Sequence, residues 1–150
     1  MRVVIQRVWE ASVSVAGERV ASIGRGMLVL CGFVDADDTE DLDWTARKIA
    51  ALRIFDDETG VMNCSVVDVK QEILVVSQFT LMASTKKGNR PSYVAAARPE
   101  TAVPLYGQFK EKLSAQLGRP VASGVFGADM QVAMLGDGPV TICIDSKNRI

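Results

Sequence analysis

The stretch Gly26-Met27-Leu28-Val29-Leu30-Cys31-Gly32 decides the fold class, because it is apolar between two bounding glycines. Such a run predicts a buried β-strand. Before it, apolar residues alternate with polar ones along residues 3–15, and Ala16-Gly17-Glu18 predicts a turn. The first third of the chain is therefore expected to be β structure.

After this region the hydrophobic period changes. Asp38-Thr39 predicts the start of a helix that runs to about Arg53, and residues 102–117 have apolar positions at helical spacing, closed by Gly118. Further short strands are predicted at residues 73–76, 121–123, 130–134 and 140–144. We expect a single α/β domain over residues 1–150, with two helices packed on a mixed, mostly antiparallel sheet.

The composition excludes several classes of protein. The chain has 150 residues, of which 48% are hydrophobic and 23% charged, and its 17 basic against 18 acidic residues give a net charge of -1. A polybasic nucleic-acid binder is therefore not expected, although a local basic patch remains open. Histidine is absent, which excludes Ser-His-Asp and Cys-His nucleophile systems and His-ligated zinc.

Cysteine usage and hydropathy predict a cytoplasmic protein. Cys31, Cys64 and Cys143 are far apart and form no CxxC pair, so neither a disulfide framework nor a zinc ribbon is expected. Cys31 and Cys143 lie in apolar runs, which predicts that both are buried. No segment has the charge pattern of a signal peptide or the roughly 20 apolar residues of a membrane helix.

An acidic run precedes and enters the first predicted helix. Its spacing differs from that of a calcium loop, so we interpret it as a capping and solvated face and expect no metal site and no cofactor. Its members are Asp35, Asp37, Asp38, Glu40, Asp41 and Asp43.

Three segments carry polar groups where loops are expected. The apolar strand at residues 73–76 ends in Ser77-Gln78-Phe79-Thr80, a basic loop follows at residues 86–91, and Asp137-Gly138-Pro139 lies between the last two predicted strands. Taken alone, each has an ordinary explanation: a strand end, a solvated loop and a tight hairpin turn. Their combination is what distinguishes the sequence.

The sequence resembles the D-aminoacyl-tRNA deacylase family along essentially its whole length. The segments that carry the resemblance are Gln6-Arg7-Val8, Leu52-Arg53-Ile54-Phe55, Val75-Val76-Ser77-Gln78-Phe79-Thr80-Leu81, Gly88-Asn89-Arg90-Pro91-Ser92, Phe126-Gly127-Ala128-Asp129-Met130 and Gly138-Pro139-Val140-Thr141. A paralogous branch that edits misacylated L-alanine has Pro and Ala where this chain has Ser77 and Phe79. The resemblance is thus to the chiral-proofreading branch.

The resemblance implies a homodimer of three-layer β/β/α subunits with the active site at the subunit interface. In that arrangement Ser77, Gln78, Phe79 and Thr80 line the pocket for the aminoacylated 3′-terminal adenosine, with Phe126 and Met130 as further walls. Gly138-Pro139 matches a Gly-cisPro motif that each subunit inserts into its partner's site, and Arg7 supports that loop. The basic residues Lys86, Lys87 and Arg90 are expected to contact tRNA phosphates. Where the family usually has Asn two residues before the glycine, this chain has Gly136.

The expected reaction is hydrolysis of the ester between a D-amino acid, or glycine, and tRNA. Backbone N–H groups near Phe79 and Thr80 are expected to stabilise the oxyanion, and the substrate's own 2′-OH to help activate water, because no histidine can deprotonate Thr80. Two alternatives remain open. One is a catalytically silent RNA-binding module, and the other is a small-molecule esterase or amidase with Thr80 as nucleophile.

Overall fold

The computed structural model of the chain describes residues 1–150 as a mixed α/β structure dominated by one sheet. In chain order the elements are β1 (Arg2–Val15), β2 (Glu18–Ile23), β3 (Gly26–Gly32), α1 (Thr39–Ala51), β4 (Phe55–Asp56), β5 (Met62–Cys64), β6 (Glu72–Ser77), a 3₁₀ helix (Phe79–Met82), α2 (Pro99–Leu117), β7 (Ala122–Ser123) and β8 (Met130–Asp145). No helix is both long enough and apolar enough to cross a bilayer.

The long strand β1 organises the main sheet. It pairs antiparallel with β2, β3 and β8, while β3–β6 and β6–β7 are parallel pairs. The predicted turn between β1 and β2 is confirmed, with left-handed backbone at Ala16 (φ 50°) and Gly17 (φ 82°), which suits the twist of a tight hairpin. The prediction of a mixed, mostly antiparallel sheet is confirmed.

Both predicted helices are confirmed, and both pack on this sheet. Asp38 caps α1, because its carboxylate accepts from the backbone N–H of Asp41 while the Asp41 carboxylate accepts from the N–H of Asp38. Helix α2 ends at Gly118, whose φ of 82° needs a residue without a β-carbon. The apolar faces of both helices share one core cluster with β1, β3 and β6.

The prediction of a hairpin at Asp137-Gly138 is wrong. Residues 130–145 form one strand, β8, which runs antiparallel to β1 throughout. Gln6 pairs with Thr141 and Val8 with Gly136, so the four residues 137–140 of β8 stand opposite the single residue Arg7. The Asp-Gly and Gly-Pro pairs therefore mark a bulge that displaces these residues from the ladder, without reversing the chain.

Two burial predictions also need correction. Cys143 is exposed in this chain, whereas Cys31 is buried as predicted. Within the acidic run, Asp37 and Asp41 are buried. Asp37 accepts from the backbone N–H of Val34 at 2.8 Å, and Asp41 binds the Lys147 ammonium at 2.5 Å, so ion pairing and hydrogen bonds compensate for their desolvation.

Candidate active site

A cavity of about 590 Å³ opens where β3 and β6 end. Its wall is mostly apolar and includes four of the predicted site residues that follow or face these strand ends: Ser77, Gln78, Phe79 and Phe126. The first residue of β8, Met130, also belongs to this wall, whereas Thr80, which was predicted to line the pocket, does not. A cavity of this size, apolar with a few polar groups, is typical of sites for small molecules and nucleotides.

The polar part of the wall is the turn from β6 into the 3₁₀ helix. The backbone N–H of Gln78 donates to the Cys31 carbonyl at 2.7 Å, which fixes the end of β6 against β3. The Gln78 carbonyl accepts from the N–H of Leu81 at 3.2 Å, and the Gln78 side-chain amide donates to the Thr80 hydroxyl. These contacts hold the segment rigidly at the mouth of the cavity.

The N–H groups of Phe79 and Thr80 lie in the first turn of the 3₁₀ helix, where intrahelical acceptors are absent. Phe79 is exposed beside the cavity, with 56% of its surface accessible. These two N–H groups are therefore candidate donors to an oxygen bound beside Phe79.

The cavity lining of this chain contains no carboxylate and no histidine. Cys31 lies at the wall, but burial raises the pKa of its thiol far above the usual range, which keeps it protonated and a poor nucleophile. Ser77 and Thr80 therefore have no side-chain base of their own chain in the lining to activate them.

Arg7 fixes the bulge of β8 from the opposite strand. Its side chain is buried, and its Nη1 donates to the Ile54 carbonyl at 2.6 Å. Its Nε lies 3.3 Å from the Asp137 carbonyl oxygen and 3.2 Å from the Asp137 carboxylate, and Nη1 lies 3.6 Å from Asp56. The guanidinium thus ties residue 137 to the start of β4.

Gly138 and Pro139 follow directly on this anchor, and the peptide bond between them is cis. Gly138 has φ 130°, and a β-carbon at this position would lie 2.8 Å from the backbone nitrogen of Val140. Both Gly138 and Pro139 are exposed, and neither lines the cavity of its own chain.

The remaining predicted residues lie outside the cavity wall. Thr80 is half-buried behind Gln78, and Lys86, Lys87 and Arg90 belong to an exposed loop that an Ser84–Ser92 bridge closes. Two further wall residues were not predicted from the sequence: Tyr93, whose ring packs edge-to-face on Phe79 at 5.2 Å, and Arg98. Tyr93 follows the Gly-Asn-Arg-Pro-Ser segment and so had a local signal, whereas nothing in the sequence marks Arg98.

Comparison with known proteins places relatives along nearly the whole chain. The profile of the D-Tyr-tRNA(Tyr) deacylase family matches residues 4–145. A Bacteroides thetaiotaomicron protein is 59% identical over 149 residues, and one from Porphyromonas gingivalis is 61% identical; each match covers 99% of both chains, and both proteins are named D-aminoacyl-tRNA deacylase.

Two solved structures have folds similar to that of this chain. One described as "c-Myc DNA Unwinding Element Binding Protein" is 44% identical with a TM-score of 0.92, covering 97% of this chain and 98% of that one. Another, described as a probable eukaryotic D-amino acid tRNA deacylase, has a TM-score of 0.82 at 20% identity, covering 95% and 97%, and so supports the fold alone.

The family match and the named relatives define the class of the protein, a hydrolase of the aminoacyl-tRNA ester bond. The chain belongs to the D-aminoacyl-tRNA deacylase family, whose profile and relatives span nearly its whole length.

Proposed function

We propose that this protein hydrolyses the ester that joins a D-amino acid to the 3′-terminal adenosine of tRNA, and that it spares L-aminoacyl-tRNA. The observation that carries the proposal is the cavity at the end of β6, where Ser77, Gln78 and Phe79 lie at the start of a 3₁₀ helix whose first N–H groups lack intrahelical acceptors. Ester hydrolysis needs stabilisation of a developing oxyanion, and the Phe79 and Thr80 N–H groups supply donors for it.

The substrate supplies part of the catalysis in this proposal. The cavity lining lacks a carboxylate and histidine, and its thiol is protonated, so this chain offers no evident base for the attacking water. The 2′-OH of the terminal adenosine neighbours the scissile ester and can orient or activate that water. Ser77 and Thr80 then position groups and form no covalent intermediate.

Chiral selection comes from a second subunit. Gly138 and Pro139 are exposed outside the cavity of their own chain, and Arg7 holds the residue before them, so the pair is presented as a fixed projection. Inserted into a partner's cavity, its main chain surrounds the α-carbon of the substrate. The side chain of an L-amino acid would then clash with this backbone. This steric exclusion gives the specificity for D-aminoacyl-tRNA.

Further features of β8 support a homodimer. β8 pairs only with β1 and leaves its other edge free, and it exposes Val132, Met134 and Leu135 at 40%, 47% and 56%. Met130 and Val132 line the cavity, and Met134 continues the same face of the strand, so this apolar strip begins at the site itself. A second copy that covers the strip also reaches the cavity.

The remaining parts of the proposal concern tRNA. The exposed residues Lys86, Lys87 and Arg90 contact phosphates near the acceptor end. The protein needs no cofactor or metal in this mechanism, and it acts in the cytoplasm, consistent with three unpaired cysteines. Because a main-chain selector ignores side-chain identity, D-alanyl-tRNA, D-tyrosyl-tRNA and glycyl-tRNA are all substrates.

The test compares D-tyrosyl-tRNA with L-tyrosyl-tRNA, and then with a D-tyrosyl-tRNA that ends in 2′-deoxyadenosine. We expect hydrolysis of the D-ester alone, and a loss of about a hundredfold or more without the 2′-OH. Equal rates on the D- and L-esters contradict the proposal, and no hydrolysis of either supports a silent RNA-binding module.

The variant Thr80→Ala separates this mechanism from that of a small-molecule esterase or amidase with Thr80 as nucleophile. We expect substantial residual activity and no trappable acyl-enzyme, because the Thr80 hydroxyl accepts from the Gln78 amide and has no base beside it in the cavity lining. Complete loss in the variant, with an acyl-enzyme trapped on the wild type, supports Thr80 as the nucleophile instead.

A further inference from the structure

Arg98 is the only charged residue in the wall of the cavity. The other lining residues are apolar or carry neutral hydroxyl, amide or thiol groups. A single cationic residue in a mostly apolar wall favours a ligand that brings a negative charge to the same place.

The side chain of Arg98 is free to take such a ligand. Arg98 is exposed and belongs to none of the ion pairs of the structure. Its backbone, in contrast, is fixed, because its carbonyl accepts from the N–H groups of Thr101 at 3.0 Å and Ala102 at 2.8 Å. The preceding residue, Ala97, donates to the Phe33 carbonyl at 2.9 Å, which attaches this segment to the cavity wall.

Only one group of the proposed substrate has the negative charge needed to bind the Arg98 guanidinium. An aminoacylated adenosine carries a positive ammonium group, a neutral ester and a neutral base, so its only anion is the phosphodiester on the 5′ side. The guanidinium repels the ammonium and attracts the phosphate, and it therefore also favours one direction of the substrate in the cavity.

We propose that Arg98 binds the phosphate that joins the terminal adenosine to the preceding nucleotide, and that it thereby selects a tRNA end over a free nucleoside ester. This inference rests on the proposed function for the identity of the substrate. Arg98 acts as a binding residue and takes no part in bond making.

The first experiment measures binding without catalysis. Titration calorimetry compares adenosine 5′-monophosphate with adenosine, and we expect the wild type to bind the phosphorylated ligand roughly tenfold more tightly. Arg98→Gln should remove this difference, and Arg98→Lys should restore part of it. Because the Arg98 side chain makes no capping hydrogen bond to α2, its replacement leaves that helix intact.

A matched control removes the same charge elsewhere. Arg47 is exposed on α1, outside the cavity wall and outside all ion pairs, so Arg47→Gln should keep the full preference for the phosphorylated ligand. Equal affinity of the wild type for both ligands, or an equal loss of preference in both variants, overturns the inference. The inference is also overturned if Arg98→Gln weakens the binding of free D-tyrosine but leaves the affinity for adenosine 5′-monophosphate unchanged. That result would assign Arg98 to a site for the carboxylate of the product.

The second experiment uses turnover. With D-tyrosyl-tRNA, Arg98→Gln should raise KM roughly tenfold at unchanged kcat, and lower the slope of log KM against log salt by about 0.7. With D-tyrosyl-adenosine, which lacks the phosphate, the variant and wild type should be equal. An equal loss on both substrates overturns the inference. A wild type that hydrolyses neither ester overturns the proposed function, while the preference for adenosine 5′-monophosphate still tests Arg98 independently.

Discussion

Gly136 and Gly138 are separated by one residue in β8, yet they differ in backbone conformation and in the space around the position of a β-carbon. Gly136 pairs with Val8 in the ladder, has ordinary backbone angles, and has open space where a β-carbon would stand. Gly138 has φ 130° and backbone 2.8 Å from that position. The backbone therefore does not require glycine at residue 136, whereas it does at residue 138.

Gly136→Ala should accordingly stabilise the protein. The β-carbon restricts the unfolded chain and meets nothing in the folded one, so we expect the free energy of unfolding to rise by about 0.4–1 kcal/mol and the melting temperature by a few degrees. Urea and thermal unfolding measure this. Gly138→Ala is the paired control and should destabilise; a loss of stability at residue 136 equal to that at residue 138 contradicts the argument.

At the scale of elements, the sequence predicted the helix ends, because contacts between residues close in the chain determine them. Helix α1 was predictable because Asp38 and Asp41 form its capping box within four residues, and Gly118 ended α2 for an equally local reason. The path of β8 was not predictable in this way. Asp137-Gly138 has the composition of a turn, but its conformation is set by pairing with β1 and by Arg7, which is 130 residues away in sequence.

The buried carboxylate of α1 gives a pH-dependent prediction. Burial alone would raise the pKa of Asp41, but hydrogen bonds from Lys147 and the Asp38 backbone lower it to about 2. Since the folded-state pKa is below the unfolded value, the ionised group stabilises the protein above about pH 4, and this contribution is lost as the pH falls toward about 2. Asp41→Asn should therefore lower stability by about 1–2 kcal/mol at pH 7, and this difference should shrink toward zero near pH 2.

Unfolding in urea at several pH values measures this effect. Asp35→Asn removes an exposed carboxylate from the same acidic run and should change the free energy of unfolding by less than about 0.5 kcal/mol. A difference between wild type and Asp41→Asn that stays constant from pH 7 to about pH 2 would show that packing, rather than charge, accounts for the role of Asp41.

At the scale of the whole molecule, one chain contains both halves of the candidate site but does not bring them together. Ser77, Gln78 and Phe79 line the cavity, whereas Gly138 and Pro139 are exposed outside it. The sequence of one chain predicts the residues of each half, but in the proposed homodimer the two halves meet only across the contact between subunits. Met134 lies on that proposed contact, because it is 47% exposed on the strip of β8 that starts at the cavity.

Met134→Glu should therefore dissociate the proposed dimer, and the enzymatic activity should fall as the dimer dissociates. A charge at the centre of an apolar contact is desolvated without a partner, so we expect the dimer dissociation constant to rise at least tenfold. Sedimentation equilibrium measures that constant, and the specific activity on D-tyrosyl-tRNA should fall on dilution over the same range of protein concentration. Val61→Glu places the same charge on a residue that is 57% exposed beside β5, and it should change neither quantity. The Met134→Glu protein could instead be monomeric, retain full specific activity on the D-ester and still exclude the L-ester. Chiral selection would then occur within one chain, and the projecting Gly138-Pro139 pair would have another role.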